Sequence, residues 1–245
     1  MNPVAFTIFG IDVMWYGVLI SAGVLIGVLI ALKEAKRTGF REDDLIDFLL
    51  YAIPAGIVGA RAYYVIFSWD YYSQNLSQII NIRSGGLAIH GAIIGGIITG
   101  VLFCKIRKTN VLEILDLVIP SLALGQAIGR WGNFINQEAY GGPTDLPWGI
   151  IVDGQKVHPT FLYESIIDFC IFLFLIWFSK HKKASHGQLL GLYLILYSAG
   201  RFFIEGLRTD SLMFAGMRVA QLVSLASIVI GAGLLIYLKN KKQSS

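Results

Sequence analysis

Apolar residues run through this chain in long stretches, broken at intervals by short polar segments that carry most of its charge. Crossing about 30 Å of hydrocarbon at about 1.5 Å per residue takes roughly 20 residues of helix. Runs near that length fall at 12–32, 45–68, 86–104, 111–129, 161–179, 187–207 and 217–238. The pattern predicts an all-α integral membrane protein, a seven-transmembrane-helix bundle built as one polytopic domain over 1–245. No internal repeat or duplicated half stands out, which favours a single bundle. Composition agrees, with 55% of residues hydrophobic and only 15% charged.

Short cytoplasmic loops collect Lys and Arg, so the basic residues set the orientation. Thirteen of the twenty fall in alternate connections: Lys33, Lys36, Arg37 and Arg41; Lys105, Arg107 and Lys108; Lys180, Lys182 and Lys183; Lys239, Lys241 and Lys242. This predicts an N-terminus outside, a C-terminus in the cytoplasm, and outer loops at 69–85 and 130–160, the second forming a small extracytoplasmic head. The first basic residue is Lys33, so the positive leader of a cleaved signal peptide is missing and the first helix is expected to stay. Cys104 and Cys170 fall in or at the end of spans, where a small apolar role is the expectation and nothing supports a disulfide.

The remaining basic residues are Arg61, Arg83, Arg130, Lys156, Arg201, Arg208 and Arg218, so arginine dominates the outer face as lysine does the inner. Lysine suits a hydrated topology signal, whereas arginine's planar fork matches two phosphate oxygens at once. A bound phosphate on the outer side is the chemistry this suggests. Tyr16, His90, Glu164 and Arg201 fall within about two turns of outer helix ends, with Arg61 and Asp168 a little deeper. An Arg or Asp at a helix centre costs about 2.5 to 3.5 kcal/mol on insertion scales, so such groups are expected to pair or to line one polar site. Simpler readings compete. Arg201 and Glu205, four apart, neutralise each other; Trp15 and Tyr16 form an interfacial belt; His90 is a satisfied core histidine, although its flanking glycines leave it open. Asp43, Asp44, Asp47, Glu113 and Asp116 sit at helix starts, where the macrodipole favours anions. Gly91, Gly95 and Thr99, with Gly96 and Gly100 beside them, make small-residue faces for close packing.

The densest polar stretch is Gly129-Arg130-Trp131-Gly132-Asn133-Phe134-Ile135-Asn136-Gln137-Glu138-Ala139-Tyr140-Gly141, which sets an arginine, amides and a carboxylate at a helix mouth. Four further segments accompany it: Trp15-Tyr16-Gly17, Gly85-Gly86-Leu87-Ala88-Ile89-His90-Gly91, His158-Pro159-Thr160-Phe161-Leu162-Tyr163-Glu164, and Tyr197 through Arg201-Phe202-Phe203-Ile204-Glu205 to Arg208. In order and spacing, across residues 15–208, they resemble the prolipoprotein diacylglyceryl transferase family. The resemblance implies transfer of the diacylglyceryl group of phosphatidylglycerol to the lipobox cysteine of a preprolipoprotein. A thioether forms and glycerol phosphate leaves, the first step of bacterial lipoprotein maturation. It also implies a multi-pass protein of the bacterial cytoplasmic membrane with its active site toward the extracytoplasmic face. Residue by residue, it implies catalytic roles for His90, Arg130 and Arg201 and site positions at Tyr16, Asn133, Glu138, Gly141 and Glu205. Asn136, Tyr197 and Arg208 lie in the same matched segments and join Arg130 and Arg201 as substrate-binding candidates. Two departures stand out: Gly91-Ala92 follows His90 where the family pattern has a second glycine, and 130–160 is short for the family's head.

For that chemistry the arginines are expected to hold the departing phosphate and His90 to take the thiol proton, with Glu138 next in line. No metal is expected, because His90, His158, His181 and His186 are scattered over both faces and no Cys-x-x-Cys occurs. No cofactor, nucleotide or nucleic-acid partner is expected either; the implied partners are phosphatidylglycerol, preprolipoproteins and the bilayer. A transporter is the chief rival, though transporters commonly carry repeats and a midplane site. An intramembrane protease would need a Gly-x-Ser-Gly or a membrane aspartate pair, and neither is found.

Overall fold

The structure, a computed structural model, describes residues 3–82, 85–214 and 216–243. Arg83, counted above among the outer arginines, lies outside the described residues. The chain opens with a hairpin of β1 (Val4–Ile8) and β2 (Ile11–Met14), then runs through α1 (Trp15–Thr38), α2 (Glu42–Phe67), the short α3 (Trp69–Tyr72) and a 3-10 turn (Leu76–Ile80). There follow α4 (Ile89–Arg107), α5 (Val111–Ile135), a hairpin of β3 (Ile150–Val152) and β4 (Gln155–Val157), α6 (Thr160–His181) and α7 (Gln188–Glu205). A last hairpin, β5 (Met213–Phe214) with β6 (Met217–Arg218), leads into α8 (Val219–Gln243).

Among the described residues, α1, α2, α4, α5, α6 and α8 are long and apolar enough to cross a membrane. The protein is thus a mostly helical, multi-pass membrane protein, and its outward helix faces carry exposed Leu, Ile and Val throughout. The seventh expected span forms as α7, 18 residues long, yet it falls outside that set because Gln188, Arg201 and Glu205 dilute its apolar run. A second difference concerns α5, expected to end at 129 but helical to Ile135. The charge of Arg130 does not stop the helix, since Glu164 lies 3.0 Å from its Nη1 and neutralises it in place.

Packing divides the chain into two compact units, Met1–Ala31 with Leu115–Ser245, and Leu32–Ile114. In the first, α5, α6 and α7 share a core of Ile119, Ala123, Ile171, Leu175, Leu189 and Tyr193. Asp116, expected to serve the start of its own helix, instead caps α7. Its carboxylate accepts from the Gly187 and Leu190 N–H groups at 2.8 and 3.1 Å and pairs with Lys183 Nζ at 3.1 Å. The orphan N–H groups of α7 supply the partners that α5 geometry does not offer a side chain already inside its helix.

In the second unit, α2 packs on α4 backbone to backbone. A Cβ on Gly91 would lie 2.1 Å from the Gly59 carbonyl oxygen, and one on Gly95 2.5 Å from that of Ala55. The neighbouring face is looser, for a Cβ on Gly96 would meet nothing within 4 Å and one on Gly100 only the Phe48 ring at 3.7 Å. Arg61, read from depth as part of a polar site, is committed elsewhere. Nε donates to Ile79 O, Nη1 to Gly85 O and Gly86 O, and Nη2 to Gln78 O, at 2.5 to 2.9 Å. Its guanidinium thereby ties together the loop that leads into α4, and a side chain on Gly86 would collide with Nη1 at 2.4 Å.

Candidate active site

Within the first unit three helices bring charge together. Arg130 comes from α5, Glu164 and Asp168 from successive turns of α6, and Tyr197, Arg201 and Glu205 from successive turns of α7. Spacings of four residues keep each set on one helix face. Glu164 is the pivot: Oε2 lies 3.0 Å from Arg130 Nη1, while Oε1 accepts a short hydrogen bond from Arg201 Nη1. Arg201 turns Nη2 to Glu205 Oε2 at 2.6 Å, and Arg130 Nε stands 4.0 Å from Asp168 Oδ2. Glu164, Asp168 and Glu205 are all buried, whereas the two arginine side chains keep a fifth of their surface exposed. Asp168 Oδ2 is buried without a hydrogen-bond partner among the described residues. Arg130, Glu164, Asp168, Tyr197 and Arg201, with Ile167, Gly200 and Ile204, enclose a cavity of about 10 Å³, about the room of one water.

Helix packing holds this cluster in register. Trp131 Nε1 donates to Ser165 Oγ at 3.1 Å, and Ser165 Oγ donates to Ala127 O at 2.8 Å, which pins α5 to α6 one turn from the charges. Tyr193 OH donates to Gln126 at 2.8 Å and does the same between α5 and α7. Tyr16, at the start of α1, lies against Gly132, where a Cβ would stand 2.3 Å from its ring.

Beyond Ile135 the chain folds back sharply, with Gln137 and Ala139 at positive φ of 54° and 59°. Glu138 Oε1 accepts from Asn133 Nδ2 at 2.9 Å and from Asn136 Nδ2 at 3.4 Å, so these three candidates form one hydrogen-bonded group. Thr160 Oγ1 donates to Ala139 O, tying the turn to the start of α6. Gly141 then bridges to Arg208, and a side chain there would crowd the Cβ of His158 at 2.7 Å and the carbonyl of Leu207 at 3.0 Å. Arg208 forks onto Asp210, Nε at 2.8 Å and Nη2 at 2.6 Å, and that hydrogen bond holds the Asp210 carboxyl below its ordinary pKa.

Of the residues named from sequence, Arg130, Tyr197, Arg201 and Glu205 share the cluster, with Asn133 in the last turn of α5, Asn136 and Glu138 in the turn just beyond it, Tyr16 against Gly132, and Gly141 joined to Arg208. His90 belongs to the second unit, exposed on the first turn of α4 with its ring stacked 5.7 Å from that of Tyr63. Glu164 and Asp168, expected from depth to line a polar site but given no role there, are the counter-charges of the two half-buried guanidiniums.

Fold and cluster together define a polytopic helical membrane protein with an arginine–carboxylate centre set among three of its helices. The chain belongs to the prolipoprotein diacylglyceryl transferase family, whose profile matches residues 3–237. It is 58% identical over 245 residues to the phosphatidylglycerol–prolipoprotein diacylglyceryl transferase of Clostridioides difficile strain 630, covering 100% of this chain and 98% of that one. The Finegoldia magna enzyme of the same name is 58% identical over 243 residues, covering 99% and 97%. That of Staphylococcus aureus strain JH9 is 48% identical over 254 residues, covering 98% and 90%.

Proposed function

We propose that this protein transfers the diacylglyceryl group of phosphatidylglycerol to the lipobox cysteine of preprolipoproteins, the first step of bacterial lipoprotein maturation. The observation that carries the reading is that Arg130 and Arg201, from different helices, are held by one carboxylate beside one cavity. The carboxylates engage Nη1 of Arg130 and Nη1 and Nη2 of Arg201. A guanidinium has five N–H donors, so both retain donors for phosphate oxygens.

In the reaction a sulfur–carbon bond forms at the glycerol carbon as the carbon–oxygen bond to phosphate breaks, and the thiol proton goes to a base. A thiol of pKa about 8.5 is already a few per cent thiolate at pH 7, so full deprotonation gains only about 30-fold, roughly 2 kcal/mol. Donors placed against charge that builds on a leaving oxygen are each typically worth about 3 kcal/mol or more. Arg130 and Arg201 therefore carry the larger share. His90 is assigned the proton on chemical grounds, as the imidazole suited to accept it near pH 7. Asn133, Asn136 and Glu138 shape the headgroup pocket, with Tyr16, Gly141, Tyr197, Glu205 and Arg208 supporting the substrate site around the arginines.

The same reading takes α7 as a seventh span, its charged end belonging to the site. It puts the lysine-rich connections in the cytoplasm, the N-terminus, the 130–160 head and the site on the extracytoplasmic side, and the protein in the bacterial cytoplasmic membrane. Purified protein given labelled phosphatidylglycerol and a cysteine-containing lipobox peptide, with excess chelator and no nucleotide, is expected to yield thioether-linked lipid. A cleaved peptide, or no product with an active positive control, would refute the proposal. His90→Gln is expected to lose most of this turnover; retention moves the base elsewhere, to Glu138 first.

A further inference from the structure

The strand β3 is the edge of its sheet. On its far side β4 is already paired, since the Thr144 N–H donates to Lys156 O at 2.9 Å and Pro143 bridges to Val157. On the outer side of β3 no strand follows among the described residues. Register decides which groups face outward. Val152 and Gln155 flank the turn Asp153-Gly154, whose φ values of 49° and 79° suit a type I′ hairpin and make 152–155 the hydrogen-bonded pair. The next pair, Ile151 with Lys156, is then non-hydrogen-bonded, as the outward Lys156 carbonyl requires, so the N–H and C=O of Ile151 point to the open side.

Against this strand lies a second cavity, of about 320 Å³, within the size range of ligand sites. Phe134, Phe161, Ile150 and Val152 give it apolar walls, and Asn133 and Glu138 its polar groups. It neighbours the arginine cluster along two shared helices. Asn133 follows Arg130 by three residues on α5, and Phe161 precedes Glu164 by three on α6, so both helices carry it about one turn, roughly 5 Å, beyond the guanidiniums. An extended polypeptide covers that distance in about one to two residues.

We propose that the outer edge of β3 and this cavity seat the polypeptide substrate as an added strand, with an apolar side chain close to the reacting cysteine entering the cavity. The proposal rests on the transferase reading and specifies its polypeptide site. A lipid chain offers nothing to an unpaired N–H and C=O, whereas an extended peptide presents partners to them every second residue. Main-chain pairing supplies the grip and the cavity supplies the selection.

The test uses the full-length enzyme, labelled phosphatidylglycerol and a series of lipobox peptides N-methylated at one position each. Peptide KM is expected to rise tenfold or more at alternate positions near the cysteine and to stay within about twofold between them, because only every second N–H faces β3. Ile150→Trp, which fills the cavity from its β3 wall, is expected to raise peptide KM by a larger factor than the KM for phosphatidylglycerol, whose headgroup meets Asn133 and Glu138 on the opposite wall. A uniform or absent N-methyl effect, or an Ile150→Trp whose KM rises at least as much for the lipid, overturns the proposal. No thioether from the unmodified peptide marks failure of the transferase reading itself, and the proposal falls with it.

Discussion

Glu164→Gln is the sharpest perturbation of the cluster, because it preserves shape while removing the charge that holds both arginines. At about 4 Å and an effective dielectric near 20, each guanidinium–carboxylate attraction is about 4 kcal/mol before desolvation, and removing one partner of a buried pair costs about 3 to 5 kcal/mol. Glu205 at 2.6 Å and Asp168 at 4.0 Å recover part of that for Arg201 and Arg130 respectively. A net loss of about 3 kcal/mol, about 150-fold, is the expected result if it falls on the transition state. Its distribution is diagnostic. Two guanidiniums face three carboxylates here, so the substitution makes the site less negative and an anionic headgroup binds no worse. The loss should appear in kcat, with KM for phosphatidylglycerol level or lower. Steady-state turnover at varied lipid, alongside a thermal unfolding curve to show an intact fold, reads both quantities. A kcat within threefold of the wild-type value, or a loss expressed wholly as raised KM, would refute the idea that Glu164 aims the arginines.

Arg61→Lys keeps the charge but loses the fork that spans four carbonyls. Each hydrogen bond to a charged donor is worth about 1.5 to 3 kcal/mol, so losing two or more is expected to lower the unfolding midpoint clearly, and an unchanged midpoint would deny the clamp. Gly91→Ala forces α4 from α2 at the Gly59 carbonyl and should cost about 1 to 3 kcal/mol in unfolding, whereas Gly96→Ala, with open space around it, should cost nothing; equal effects would contradict the packing. Asp210 is a carboxyl held below its ordinary value by Arg208, so their pairing is fully present above about pH 4 and is lost only as pH falls through the lowered value. Activity should therefore show no Asp210-dependent step between pH 5 and pH 8. Asp210→Asn should remove the extra acid-side loss of stability in unfolding curves; an unaltered acid limb would rule the linkage out.

The sequence by itself was enough for the helical membrane character and the family, since long apolar runs and closely spaced motif residues are local properties of the chain. It also named Arg130, Arg201 and Glu205, because charge in an apolar run is conspicuous wherever it packs. Tertiary structure decided the rest. Arg61 and Arg201 look alike in sequence, one residue of charge in an apolar helix, yet Arg61 is saturated by carbonyls of its own loop and Arg201 faces carboxylates of two helices. Glu164 became the pivot only when α5 and α7 met on α6, and α5 could outrun its expected end because that meeting neutralised Arg130. Hydrophobicity is read one residue at a time, but the fate of a buried charge depends on its partner, and the partner is chosen by the packing of distant segments.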